Sequence, residues 1–149
     1  RPKVKAIFDS SYKFEIGKGR IIKEGRNLVI FATGIMVQES LVAMETLAKE
    51  NINVSLVNIS TIKPIDRDIV IEQTRKHGAI ITAEDHNIIG GLGDAVGEVL
   101  LDNQISVPFI RVAVNDHFAE TGTGPQLFEK YGLSHNHIVK AVKETLLKR

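Results

Sequence analysis

Cysteine is absent from the 149 residues, which excludes disulfide staples, Cys-ligated zinc and thiol catalysis. An excess of one charge is missing too. Lys and Arg number 19 against 18 Asp and Glu, a formal net charge of +1. That balance carries no basic footprint of a nucleic-acid binder. No apolar run approaches the length of a membrane span, so neither nucleic acid nor membrane is an expected partner. The opening residues, Arg1-Pro2-Lys3-Val4, lack an initiator Met, an apolar signal core and an amphipathic presequence. The expectation is a processed or partial chain. A Cys-free composition fits a reducing compartment, and the cytoplasm is the expected location.

What is present is ordinary globular composition, 43% hydrophobic and 25% charged. It excludes disordered, collagen-like and coiled-coil chains. The length suits one domain, which can bury roughly 68–70% of its unfolded surface.

Residues 1–26 are polar and Gly- and Lys-containing, and read as an entry segment with one short edge strand near Arg20–Lys23. The domain proper is expected over residues 27–149. Leu28-Val29-Ile30-Phe31-Ala32 is a continuous apolar run, the mark of a strand buried on both faces. Val37, Leu41, Met44 and Ala48 then predict one stripe of a helix. Further strands are expected at Val54–Ile59, Ala79–Ala83 and Pro108–Val114. Asp66 and Gly78 are the expected caps of a second helix. Leu92, Val96, Val99 and Leu100 mark a third. Gly124-Pro125 opens a short helix closed by Gly132, and Ser134 caps a last one with stripe Ile138, Val142 and Leu146. Alternating strands and helices predict a three-layer α/β/α fold with a mostly parallel sheet and a short antiparallel edge strand. Ligands of such sheets bind beyond the carboxyl ends of the strands.

The densest loop there is Glu84-Asp85-His86-Asn87-Ile88-Ile89-Gly90-Gly91-Leu92-Gly93. Glu84, His86, Asn87, Gly90, Gly91 and Gly93 are its candidate ligand residues. One reading is an anion or phosphate seat, with glycine N–H groups aimed outward at a helix N-terminus. The other is a tight turn with close helix–sheet packing. Motif matches without structural context are weak, which favours packing. On that reading Gly91→Ala costs about 1 kcal/mol or more where φ is positive.

Sharper motifs fail. A dinucleotide fingerprint starting at Gly91 needs Gly at position 96, where Val96 stands. Gly17-Lys18 is followed by Gly19, which breaks a phosphate loop. His135 and His137 fall on different helix faces. His77 sits at a helix end, where a cation meets terminal carbonyls favourably. His86 beside Asp85, and His117 beside Asp116, read as hydrogen-bonded pairs more readily than as acid–base couples. The loop Asn115–Gly124 is long and polar, and its simplest reading is a cover anchored by Phe118.

Three stretches in order, Ile30-Phe31-Ala32-Thr33-Gly34, Thr61-Ile62-Lys63-Pro64-Ile65-Asp66 and Glu84 to Gly93, resemble the C-terminal domain of transketolase. Asp116-His117-Phe118-Ala119-Glu120-Thr121-Gly122 and Leu127-Phe128-Glu129-Lys130-Tyr131-Gly132-Leu133 extend the resemblance. Lys13–Lys18 is similar to the segment joining that domain to the preceding one. The resemblance covers nearly the whole chain. Deoxyxylulose-phosphate synthase and the beta subunits of 2-oxo acid dehydrogenases share this domain and stay open as alternatives, as does a free-standing anion-binding module.

The resemblance implies a non-catalytic domain that serves packing, dimer contacts or regulation. The complete enzyme transfers a two-carbon ketol unit between sugar phosphates. Its thiamine diphosphate and Mg²⁺ are held by other domains across a homodimer interface, so this chain is expected to bind no cofactor. Its expected partners are those domains, or a separate N-terminal subunit. The family's Gly-Asp-Gly metal–diphosphate motif is missing: Gly93-Asp94 is followed by Ala95. Arg1 stands near the place of a family Arg that contacts the substrate phosphate, which a bidentate guanidinium suits.

Overall fold

The computed structural model describes residues 6–149. Five strands and five helices follow in the order β1 (Gly19–Lys23), β2 (Val29–Ala32), α1 (Met36–Lys49), β3 (Ser55–Ile59), α2 (Arg67–His77), β4 (Ile80–Asn87), α3 (Leu92–Asp102), β5 (Phe109–Val114), α4 (Gly124–Lys130) and α5 (His135–Leu147). They form one sheet of order β1-β3-β2-β4-β5. β2, β3, β4 and β5 run parallel, and β1 pairs antiparallel with β3 at the edge. This is the expected α/β architecture.

Side chains alternate across a strand, and the alternation sorts the core into two layers. Ile30, Ala32, Leu56, Ile81 and Val112 face α1 and α5. Val29, Phe31, Val57, Ile59 and Ile80 face α2 and α3. All of β2 and β3 is buried, as their unbroken apolar runs require.

The helix ends follow local chemistry. Asp66 accepts from Ile69 N at 3.3 Å at the start of α2, and its other oxygen accepts from Gly19 N at 3.0 Å. One carboxylate thus caps a helix and pins the edge strand. Gly78 closes α2 with φ +65°, a left-handed residue where Gly carries no Cβ penalty. Ser134 stands at the N-cap of α5, but its Oγ lies 2.8 Å from His137 Nδ1 instead of meeting a backbone N–H.

Two buried stripes differ from expectation. In α1 the buried side chains are Met36, Val37, Ser40, Ala43, Met44 and Leu47, while Ala48 is exposed. In α5 Ala141 and Thr145 join Ile138 and Val142, and Leu146 is only partly buried. In both helices a hydroxyl lies inside because it bonds back to its own helix: Ser40 Oγ to Met36 O at 2.7 Å, Thr145 Oγ1 to Ala141 O at 2.8 Å. That satisfied group behaves as a small core residue.

His77 is a buried linker rather than a surface cation. Its Nδ1 lies 2.8 Å from Gln73 O, and its Nε2 lies 2.9 Å from Ser55 Oγ and 3.2 Å from Gly25 O. The ring ties α2 to β3 and to the chain entering β2. His77→Phe keeps the ring's bulk and leaves those groups unpaired. It should lower stability by about 2 kcal/mol, a fall of about 1 M in urea midpoint. A midpoint equal to that of the parent would remove His77 from the framework.

Candidate functional site

β4 runs past Ala83 to Asn87, so the residues expected to open a loop continue the strand. The register with β5 shifts between Ala83 and Asn87. The consequence is decisive for Glu84. It is fully buried, and its carboxylate turns under the start of α3. Oε2 accepts from Leu92 N at 2.6 Å and Oε1 from Gly93 N at 2.9 Å. His86 Nδ1 lies 3.0 Å from Oε2, so the imidazole pairs with Glu84 and not with Asp85. The positive end of α3 therefore holds an anion, and that anion belongs to the protein.

The three glycines serve different ends. Gly90 has φ +77° with open space about it, and makes the turn. Gly91 has φ −101°, so the positive φ expected there is not its reason. A Cβ on Gly91 would run into Glu84 Oε2 and stand 2.8 Å from Glu84 Cδ. A Cβ on Gly93 would meet Arg111 Cγ at 3.0 Å and Thr82 Oγ1 at 3.2 Å. Both positions permit close approach, one of a carboxylate and one of the sheet.

The remaining candidates form a surface network. Asn87 Oδ1 accepts from Ile89 N at 2.7 Å, and Asn87 Nδ2 donates to Asp116 Oδ1 at 2.9 Å. Asp116 thus partners Asn87, not His117, and it adopts φ +47°. Asp94 accepts from Gly90 N and from Arg111 Nη1, and Arg111 also reaches Ile88 O at 3.3 Å. Sequence reasoning missed this Arg111–Asp94 tie, because its partners lie on β5 and α3. Gly90, Leu92 and Gly93 N–H groups are all engaged within the protein. Arg1 lies outside the described residues.

A shallow groove of about 450 Å³ runs along α3 beside the site, between Gly97, Leu101 and Phe109. Asp94, Glu98 and Asp102 line it, and its one cation, Arg111, is already paired with Asp94. Such a wall repels anions.

The loop between β5 and α4 is tied down at its far end. Glu120 N donates to Tyr131 Oη at 2.9 Å, and Glu120 pairs with Lys130 at 2.7 Å. That bond holds Lys130 above the usual lysine range. Thr123 and Gln126 form a capping box at α4. Phe118, expected to anchor this loop as a cover, is wholly exposed at 103% and covers nothing.

Among the described residues no three His, Asp or Glu side chains converge as ligands for a metal ion. The helix end best suited to a diphosphate carries Glu84. The residues present do not fit thiamine diphosphate with its metal.

The sequence matches the family described as Transketolase, C-terminal domain, over residues 17–138. The chain belongs to that family. It is 43% identical over 144 residues to the 6-deoxy-6-sulfo-D-fructose transketolase subunit SqwH of Clostridium sp. strain MSTE9, covering 97% of this chain and 44% of that protein. It is 42% identical to a protein of Methanocaldococcus jannaschii described as a transketolase C-terminal section, covering 91% of this chain and 42% of the relative. A solved structure described as a split gene transketolase, inactive beta4 tetramer, superimposes with a TM-score of 0.91 at 42% identity, covering 97% of this chain and 47% of that one. The 1-deoxy-D-xylulose-5-phosphate synthase of Syntrophotalea carbinolica is 38% identical over 91% of this chain and 21% of its own. This transketolase-type domain thus spans less than half the length of the relatives it matches.

Proposed function

We propose that this chain is the non-catalytic C-terminal part of a cytoplasmic, homodimeric transketolase-type enzyme. The complete enzyme moves a two-carbon ketol unit between phosphorylated sugars. Thiamine diphosphate and its divalent metal sit in the other part, present as further domains or as a separate subunit, and supply the carbanion chemistry. The observation that carries this reading is Glu84, seated on the Leu92 and Gly93 N–H groups where an external diphosphate or phosphate would bind. It also speaks against a free-standing anion module. The short match to the relatives' own lengths supports a missing cofactor-binding part.

Titration calorimetry of the purified chain with thiamine diphosphate and Mg²⁺ should give no saturable heat. Ketose-phosphate donor and aldose-phosphate acceptor should give no product above blank. Adding the cofactor-binding part should restore turnover. A micromolar Kd for the chain alone, or turnover by it, would overturn the reading.

A further inference from the structure

Seven large apolar side chains stand exposed among the described residues, and four of them gather at one end of the sheet. β1 runs antiparallel to β3, and Gly19 pairs with Ile59 at the carboxyl end of β3. Phe14 and Ile16, just before β1, therefore lie at that end. Ile89 follows the carboxyl end of β4 and Phe118 that of β5. These strand ends are joined, Asn87 being paired with Val114. Leu101 and Leu147 close α3 and α5 at the opposite end, where Arg149 reaches Asn27 O ahead of β2.

The four side chains are presented by fixed backbone. Ile88 N donates to Val114 O at 2.9 Å and Ile89 N to Asn87 Oδ1 at 2.7 Å. Gly17 N donates to Thr61 Oγ1 at 2.8 Å. The loop carrying Phe118 is held at Asp116 by Asn87 and at Glu120 by Tyr131. A rigidly held, fully exposed Phe among further apolar side chains is the anatomy of a protein-docking anchor.

We propose that this carboxyl-end face, anchored by Phe118 and Ile89 and flanked by Phe14 and Ile16, docks the cofactor-binding part of the enzyme. The proposal rests on the reading above. Two observations choose that occupant over others. The relatives are more than twice as long as the stretch this chain matches. The face is continuous with residues 14–18, the segment through which the amino-terminal polypeptide reaches the sheet.

The Cys-free chain makes the test direct. Four single variants, Phe118→Cys, Ile89→Cys, Leu101→Cys and Leu147→Cys, replace exposed side chains and leave the core intact. Each is assembled with the cofactor-binding part, labelled with a small maleimide, and read by peptide mass. Positions 118 and 89 should react at least about tenfold more slowly than 101 and 147. A benzophenone maleimide at 118, or at 89 should 118 prove unreactive, should crosslink to the cofactor-binding part. Equal labelling at all four positions would overturn the proposal. So would a crosslink to residues 6–149 of a second copy. Turnover of each assembly is measured alongside: an active enzyme with position 118 freely labelled sinks the docking face alone. An assembly with no turnover even for the parent sinks the functional reading beneath it.

Discussion

Gly91→Ala should destabilise the domain by roughly 3 kcal/mol or more, the range seen when a buried charge loses its partners. The added Cβ occupies the place of Glu84 Oε2. Either α3 moves away from β4 or the carboxylate leaves the Leu92 and Gly93 N–H groups while still buried. Glu84→Gln tests the same contact from the other side. It keeps the shape but turns an amide N–H₂ toward a backbone donor, and a loss of about 3 kcal/mol is expected. The two sites are in contact, so they should couple. In a Glu84→Ala background the obstacle is gone, and Gly91→Ala should add little. Denaturant midpoints measure all three. A Gly91→Ala protein within about 0.5 kcal/mol of the parent would refute this account of the helix end.

Gly25→Ala should do as much harm or more, at a position with no functional reading. A Cβ there would lie inside the Val54 carbonyl group and 2.7 Å from Ser55 N. The obstacle is backbone leading into the fully buried β3, which cannot turn aside as a side chain can. Gly25 also donates to Ser55 Oγ at 2.7 Å and accepts from His77, so displacement strips the buried imidazole as well. The expected loss is about 4 kcal/mol, or failure to accumulate as soluble protein. Gly124→Ala is the control: nothing lies within 4 Å of its Cβ position, and a change within about 0.5 kcal/mol is expected. A soluble Gly25→Ala protein with an unchanged midpoint would contradict the packing described.

Much of this architecture can be read from local chemistry. The apolar runs around Val29–Ala32 and Ser55–Ile59 name the buried strands, and Asp66 with Gly78 bounds α2 at both ends. The stripe of α1 is less legible. Val37, Leu41, Met44 and Ala48 share a spacing with Met36, Ser40, Ala43 and Leu47, and only the Ser40–Met36 hydrogen bond makes the second set the fully buried one. Polarity scales cannot anticipate a hydroxyl satisfied by its own helix.

At the site, the sequence marks the loop but not the direction of its chemistry. Whether the N–H groups of α3 face outward or inward depends on β4 continuing to Asn87, which brings Glu84 beneath them. That is a matter of register with β5, set by residues far along the chain. Phe118 misleads in the other way. An aromatic in a polar loop reads as an internal anchor, because nothing local distinguishes a side chain that covers a core from one awaiting a cover.

The covalent attachment of Glu84 has a further result. A tethered carboxylate reaches the end of α3 at an effective concentration that a dissolved anion does not match. In an enzyme that handles sugar phosphates, the seat most attractive to them in this kind of sheet is closed to competition. The dianions it must capture are left to cationic side chains in the part of the enzyme where the reaction takes place.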